Sequence, residues 1–299
     1  MTPVGRLLDA KRFSIHDGPG IRTTLFFKGC VLKCLWCHNP ESISPEPQLG
    51  FYGQKCISCG ECAEICPGKV HIFNGSSHHL EHKNCTFCGQ CERSCPGKAL
   101  KIYGRNVTVE EAVNIALADK VFYQKSGGGV TLSGGEPLLQ INFAEALLKA
   151  LKSADLHTAV DSCACVKTGA FERVLPFTDI FLIDFKHADS AEHRKLTGQG
   201  NEQIKENLQW LSRQGSTIEI RIPVVPGCND SAENMHQTAD FLGTLDLEAV
   251  RLLPYHSLAR GKYRALNMPD TMPETAPPEE KKLAAFAGIL QKEGLQVKY

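Results

Sequence analysis

Cys30-Val31-Leu32-Lys33-Cys34-Leu35-Trp36-Cys37 sets three thiols at x3 and x2 spacing, directly behind the apolar run Thr24-Leu25-Phe26-Phe27. An apolar run of that length reads as a buried strand, so the loop behind it can bring three sulfurs to one point at the strand's end. Thiolate sulfur is a soft ligand that suits zinc or an iron–sulfur cluster. A structural zinc site wants a fourth protein ligand, and a [4Fe–4S] cluster has four irons to ligate. Three cysteines therefore leave one position open to a substrate or cofactor, which is the mark of a catalytic site. On spacing alone, a zinc site and a redox dithiol also stay open.

Downstream of the linker Ser44-Pro45-Glu46-Pro47, residues 50–104 hold eight of the fourteen cysteines and an internal repeat. Cys56-x2-Cys59-x2-Cys62-x3-Cys66-Pro67 recurs as Cys85-x2-Cys88-x2-Cys91-x3-Cys95-Pro96, with Gly-Lys following both times. Each copy is the bacterial ferredoxin run, in which the fourth cysteine ligates the other cluster. That rule puts Cys56, Cys59, Cys62 and Cys95 on one [4Fe–4S] cluster and Cys85, Cys88, Cys91 and Cys66 on a second. A zinc ribbon needs only two CxxC pairs and leaves four cysteines and both prolines without a role. Cys163, Cys165 and Cys228 fit no cluster spacing and receive no assignment.

The chain has 299 residues, with 33 Lys plus Arg against 33 Asp plus Glu. That length allows one large or two modest domains. The even balance offers no field for nucleic acid or an anionic membrane. No apolar stretch reaches the roughly 18 residues of a membrane span. The segment Met1-Thr2-Pro3-Val4-Gly5-Arg6 is too polar for a secretory signal, so a cytoplasmic location is expected. There the cysteines stay reduced, and metal or redox chemistry is their default use.

Outside residues 50–104 the pattern alternates strands and helices. Strands are expected at Arg22 to Lys28, Val130 to Ser133, His157 to Asp161, Ile180 to Phe185, Thr217 to Val225 and Ala249 to Leu253. Thr108-Val109-Glu110-Glu111 is a capping box for a helix running towards Lys125. Further helices are expected over 142–153, 168–175, 202–213, 231–243 and 278–293. Six strand–helix units with near-continuous apolar strands predict an α/β fold with a parallel sheet, either doubly wound or a partial barrel. In such folds the chemistry gathers at the carboxyl ends of the strands.

The three-cysteine run, with Trp36 just before its last member, is similar to the signature of the radical S-adenosylmethionine enzymes. Asp17-Gly18-Pro19-Gly20-Ile21-Arg22-Thr23 before it and His38-Asn39-Pro40 after it resemble one branch, the activating enzymes of glycyl radical enzymes, which includes the activators of pyruvate formate-lyase. The resemblance runs from Phe13 to Tyr263. It implies a partial (β/α)6 TIM-like barrel over residues 1–49 and 105–299, with a bacterial-ferredoxin-like domain inserted at 50–104. It also implies a cluster on Cys30, Cys34 and Cys37 that binds S-adenosylmethionine, making three [4Fe–4S] clusters in all. The expected reaction is reductive cleavage of that cofactor to a 5′-deoxyadenosyl radical, which removes hydrogen from a backbone glycine of a partner glycyl radical enzyme. An external low-potential donor such as flavodoxin or ferredoxin would supply the electron. Two other functions compete: radical chemistry on a small molecule or peptide, and plain electron transfer.

The resemblance also carries site residues. Ser133-Gly134-Gly135-Glu136-Pro137 matches the segment that holds the cofactor's amino group, although a glycine turn alone explains its residues as well. Asp161-Ser162 and Asp184-Phe185-Lys186 end neighbouring strands, and in the family the positions matching Asp161, Ser162 and Asp184 build a monovalent-cation site beside the cofactor carboxylate. Ser162 replaces a threonine there, and Cys163-Ala164-Cys165 follows it. Arg221 would be costly to bury without an anionic partner, either the cofactor carboxylate or a structural Asp. His256, after Leu252-Leu253-Pro254-Tyr255, matches a histidine that touches the adenosine. Asp17 belongs to a tight turn that glycine and proline chemistry explains nearly as well as function does.

Overall fold

The computed structural model describes residues 3–272 and 274–299. Its first element, β1 (Val4–Ser14), precedes the strand at which the apolar pattern starts the fold. β1 is antiparallel to its neighbour β2 (Arg22–Phe27), and its outer stretch, Asp9 and Lys11 to Phe13, faces solvent. A strand whose outer half is solvated carries no continuous apolar run, which is why the sequence conceals it.

Between β2 and the next barrel strand comes a small module: β3 (Gln48–Phe51), α1 (Glu61–Ile65), β4 (His71–Asn74), β5 (Ser77–Leu80), α2 (Gln90–Ser94) and β6 (Leu100–Tyr103). β3 pairs antiparallel with β6, closing the module at its root, while β4 and β5 form a hairpin. The sequence repeat recurs in the backbone. Positive φ angles occur at Ser58 and Phe87, at Gly60 and Gly89, and at Lys69 and Lys98, each pair 29 residues apart. Gly60 and Gly89 start α1 and α2 from left-handed conformations that glycine adopts without strain.

The chain then returns through β7 (Arg105–Thr108), which pairs with β1, into α3 (Val109–Leu117) and α4 (Lys120–Ser126). The Thr108–Glu111 capping box is present, but the single helix expected towards Lys125 is broken at Asp119. Asp119 turns inward, where its carboxylate accepts from Thr23 Oγ1 at 2.8 Å and from the Arg12 guanidinium. Turning this carboxylate inward to the buried Thr23 interrupts the helix.

The remainder alternates as the apolar pattern predicts: β8 (Gly129–Gly134), α5 (Ile141–Ser153), β9 (His157–Ser162), α6 (Thr168–Val174) and β10 (Ile180–Asp184). Two helices follow β10, the polar α7 (Ser190–Thr197), absent from the sequence expectation, and α8 (Glu202–Arg213). Then come β11 (Ile218–Val224), α9 (Ala232–Leu242), β12 (Ala249–Pro254), a second unexpected helix α10 (Arg260–Ala265), α11 (Glu280–Lys292) and the short β13 (Val297–Lys298).

The main sheet has nine strands in the order β13-β12-β11-β10-β9-β8-β2-β1-β7. The six expected strands, β2 and β8 to β12, run parallel and adjacent. Both faces are covered: Val130, Leu132, Val160, Phe181, Ile183 and Ile220 are buried on the outer face with Phe143, Leu147 and Leu151 of α5 and Leu208 and Leu211 of α8, and Thr131, Ala159, Ile180 and Leu182 are buried on the inner face. The sheet is curved. In a flat sheet, four spacings of roughly 4.8 Å would separate β2 from β11 by about 19 Å. Yet Asp17 bonds Thr24 of β2 through Oδ2, at 2.7 Å, while its Oδ1 lies 3.8 Å from Arg221 of β11. This α/β sheet with its covering helices is consistent with a partial TIM-like barrel.

Candidate active site at the strand ends

Because β2 and β8 to β12 are parallel, their carboxyl ends open on one edge, where the expected site residues meet. The cysteine loop leaves β2 there and is clamped from both sides. Gly29 and Cys30 donate backbone N–H to Ser42 and Ile43, and Lys33 and Leu35 donate to Thr197 and Leu196 at the end of α7. From α10, Tyr263 Oη donates to the Cys37 carbonyl at 3.0 Å, and Lys262 Nζ reaches the His38 carbonyl, Asn39 and the buried Glu41. The two helices without a sequence signal thus hold the loop. Trp36 is buried against Val225 and Tyr255, beyond the ends of β11 and β12, so its ring anchors the loop by packing.

Burial pushes the Cys34 and Cys37 thiols up to about 12, so thiolates there are costly unless a metal takes them. Cys30 is held below its ordinary range by a hydrogen bond from Cys163, against the opposing effect of burial. Cys30 and Cys37 act on Cys34, and Cys30 on Cys37, so the three thiols share one neighbourhood, and a set of three soft ligands suits a cluster with one open position. Cys163, unassigned by its spacing, is the neighbour that sequence reasoning missed.

The Ser133–Pro137 loop is bound to the same strand end. Gly135 and Glu136 donate backbone N–H to Phe27 and Gly29, so the loop continues the β2–β8 pairing past the sheet. Gly134 has φ +115°, and a Cβ on Gly135 would lie 2.1 Å from the Gly29 oxygen. Both glycines are therefore required by packing, whatever binds above them. The Glu136 carboxylate is wholly buried and consumed by protein donors: Oε1 accepts from Leu138 N, and Oε2 from Ser162 Oγ and Cys163 N, at 2.8–3.0 Å. Burial still raises its pKa against those bonds. The Ser162 hydroxyl faces Glu136, and the pair ties the β8 end to the β9 end.

Asp161 accepts from Ser133 Oγ at 2.6 Å and pairs with Arg221 Nη1 at 3.1 Å. Burial raises Asp161 to about 6, with Arg221 opposing. Arg221 also bonds the His16 carbonyl, and its Nε is buried without a partner among the described residues. Asp184 is held by Lys186 Nζ at 2.6 Å, and Lys186 itself is buried. Burial lowers its ammonium, but Asp184 and then Cys34 outweigh that and raise it overall. Both carboxylates proposed for a cation thus already carry a basic side chain. His256 is exposed at the end of β12 and stacks on His38, centroids 4.0 Å apart and rings 20° from parallel. His38 is pulled down to about 4 by burial and then by His256. The motif His38-Asn39-Pro40 was visible in the sequence, but nothing in it pointed to this stack.

Asp17 is no idle turn. Its carboxylate bonds Thr24, its carbonyl accepts from Thr131 at 2.6 Å, and it lies beside Arg221. Arg22 is fully buried without a carboxylate partner, and burial lowers it to about 10. Its guanidinium instead donates to Thr131 and to the carbonyls of Pro19 and Val130, fixing the Asp17–Gly20 turn from inside.

In the module, two small cavities have the cysteine sets that the repeat predicts. One is lined by Cys56, Cys59, Cys62 and Cys95, the other by Cys66, Cys85, Cys88 and Cys91. The two copies interlock: a Cβ on Gly68 would lie 2.3 Å from the Asn84 oxygen, and one on Gly97 would lie 2.4 Å from the Lys55 oxygen.

The family described as the Radical SAM superfamily matches residues 82–242, and a 4Fe-4S single cluster domain matches residues 16–64. The chain belongs to the radical SAM superfamily. Within it the chain falls among the activating enzymes. It is 42% identical to the (2S)-3-sulfopropanediol dehydratase activating enzyme of Klebsiella oxytoca, over 91% of this chain and 88% of that protein. It is 40% identical to the trans-4-hydroxy-L-proline dehydratase activating enzyme of Clostridioides difficile, over 98% of both. A crystal structure of a domain of pyruvate-formate lyase-activating enzyme from Bacteroides vulgatus superposes with a TM-score of 0.50 at 30% identity, covering 57% of this chain and 98% of that one. No described helix is long and apolar enough to cross a membrane.

Proposed function

We propose that this radical SAM enzyme activates a glycyl radical enzyme, with three iron–sulfur clusters placed by the cysteine sets above. When bound, S-adenosylmethionine and a cluster on Cys30, Cys34 and Cys37 supply one-electron cleavage of the sulfonium and a 5′-deoxyadenosyl radical that takes hydrogen from a partner glycine. The chain's own residues position and enclose. Gly134 and Gly135 bring backbone within reach of the cofactor's amino group. Arg221, with a spare buried donor, is suited to its carboxylate, and Asp161 and Asp184 keep acceptor lone pairs for its ammonium beside Arg221 and Lys186. The Lys186 ammonium occupies the place on Asp184 that a monovalent cation would take. Glu136 and Ser162 act one layer out, by locking the two strand ends together, and Trp36 anchors the loop. His256, exposed and stacked on His38, offers a flat face to the adenine. No side chain needs to serve as acid or base, because the protein supplies position and a dry site.

Residues 50–104 act in this reading as a ferredoxin-like domain that relays electrons from an external low-potential donor such as flavodoxin or ferredoxin, with residues 1–49 and 105–299 as the barrel. The observation that carries the function is near full-length identity of about two residues in five to activating enzymes, joined to a three-cysteine loop at a parallel strand end. Those relatives are activating enzymes of different dehydratases, so the partner is found by trial. The protein is reconstituted anaerobically with iron and sulfide, reduced, and given S-adenosylmethionine and candidate glycyl radical enzymes carrying deuterated glycine. Deuterium in 5′-deoxyadenosine identifies the partner, and Cys34→Ala should form none. Cofactor cleavage with label from no glycyl radical enzyme would turn the assignment towards another substrate.

A further inference from the structure

The two cysteine cradles of the module are alike in backbone and unlike in one pair of side chains. His78 Nδ1 lies 3.6 Å from Cys56 Sγ, and its Nε2 lies 3.9 Å from Cys62 Sγ and 3.1 Å from His71 Nδ1. Phe73 stacks on the His78 ring at 4.3 Å, and Phe51 meets it edge-on at 4.4 Å, so the imidazole has little freedom to turn. His71 is buried and lines the other cradle. One repeat on, the positions of His71 and His78 are filled by Leu100 and Val107. Among the described residues no imidazole bonds Cys66, Cys85, Cys88 or Cys91.

The protons of the pair follow from the sulfur. A cysteine that ligates iron carries no proton, so the hydrogen of His78 belongs on the nitrogen facing the nearer sulfur, Nδ1 at 3.6 Å from Cys56 against Nε2 at 3.9 Å from Cys62. Its Nε2 is then bare and accepts from His71 Nδ1–H. The second nitrogen of His71, buried without a partner, is left as the bare one. Hydrogen bonds to the sulfurs are among the factors that set an iron–sulfur potential. Reduction adds a negative charge, and a donor aimed at a ligand sulfur stabilises the reduced form.

We infer that His78, held in this tautomer by His71, sets the cluster of Cys56, Cys59, Cys62 and Cys95 at a higher reduction potential than the cluster of Cys66, Cys85, Cys88 and Cys91. An electron reaching the module settles on the first: one electron leaves the reduced second cluster for the oxidised first, no bond forms or breaks, and no proton moves. This rests on the three-cluster reading of the chain. His78 acts as a positioning residue, through the cysteine sulfur.

The rival use of the same atoms is a metal ion on Cys62, His71 and His78, whose ligand atoms all lie within 4.8 Å of one another. It would take Cys62 away from the first cradle, so the two uses exclude each other.

The test is an anaerobic redox titration of the reconstituted full-length protein by electron paramagnetic resonance, with iron and zinc counted on the same samples. The parent should show two module clusters of unequal potential, and a Cys56→Ala, Cys59→Ala double variant should lose the higher one. His78→Phe keeps the aromatic stack and removes the donor. It should shift the electron's partition between the clusters about tenfold towards the second, which is 59 mV for one electron. His78→Gln, which retains an N–H donor, should recover part of the shift. Equal potentials in the parent, or a His78→Phe variant with full iron and unmoved potentials, would overturn the inference. So would a glutamine variant that behaves like phenylalanine, since packing alone would then explain the change. Iron for a single cluster in the parent would instead sink the three-cluster reading, and stoichiometric zinc lost in His78→Phe would establish the rival site; either result ends this inference as well.

Discussion

Arg221 Nη1 stands 3.1 Å from Asp161 Oδ2, although β10 lies between the strands that carry them. The arginine crosses the inner face of the sheet, and its other terminal nitrogen lies 3.8 Å from Asp17. One guanidinium therefore joins β9, β11 and the turn before β2. Removing one partner of a buried pair leaves an uncompensated charge, which costs about 3–5 kcal/mol. Arg221→Met should lower the stability of the cluster-free protein by about that amount in urea unfolding. Adding Asp161→Asn should restore a large part of it, because the stranded charge is gone. Additive losses in the double variant would show that the two residues are not coupled.

The same pair predicts a pH dependence. Asp161 is raised to about 6, chiefly by burial, against roughly 3.9 in an unfolded chain. A carboxyl raised on folding favours the folded state below its unfolded pKa, and that contribution is lost as pH rises through the folded value. The stability of the parent relative to Asp161→Asn should therefore fall between about pH 4 and pH 6 and level off above. At 1.36 kcal/mol per pH unit the fall is on the order of 2–3 kcal/mol. Melting temperatures of both cluster-free proteins across pH 4 to 8 would show it, and parallel curves would contradict it.

Glu136→Gln tests whether the motif carboxylate is a tie between strand ends. Oε1 faces the Leu138 N–H and Oε2 the Cys163 N–H, two backbone donors that cannot rotate away. Whichever way a glutamine amide is turned, its NH2 meets one of them. Leaving a buried donor unsatisfied costs about 1–3 kcal/mol, so the variant should unfold at correspondingly lower urea. Glu136→Asp, which keeps the charge but shortens the reach, should also lose stability. An unchanged midpoint in the glutamine variant would show that the carboxylate is no tie between the strand ends.

The parts of this fold that were legible in the sequence are those where one physical demand dominates. Six parallel strands show as apolar runs because both their faces are covered, and the cysteine repeats show because one spacing recurs 29 residues further on. β1 was illegible for the opposite reason: its outer half is exposed on both faces, and Asp9, Lys11 and Arg12 break its pattern. α7 and α10 are short and polar, and their use lies in clamping the cysteine loop, a tertiary contact with no local signal. The break at Asp119 depends on Thr23 and Arg12, far away in the chain. At the site, Asp161 and Arg221 could be nominated as charges at strand ends, but not paired. Glu136 could be matched to a motif, yet only the folded chain shows its carboxylate consumed by Ser162, Cys163 and Leu138.

The interlocking of the two cysteine copies gives a last prediction, independent of any histidine. In sequence Cys66 follows Cys56, Cys59 and Cys62, and a local reading would count all four as one site. In the fold Cys66 lines the cavity of Cys85, Cys88 and Cys91, while Cys95 lines that of Cys56, Cys59 and Cys62. The crossing is enforced by the contacts of Gly68 with Asn84 and of Gly97 with Lys55, which seat the end of each copy against the start of the other. Cys66→Ser should therefore perturb the same cluster signal as Cys88→Ser, and Cys95→Ser the same one as Cys59→Ser. Electron paramagnetic resonance of the four reduced variants, with iron counted for each, decides it. Cys66→Ser grouping with Cys59→Ser would mean that each cluster is held within its own copy, and the crossed arrangement of the module would be wrong.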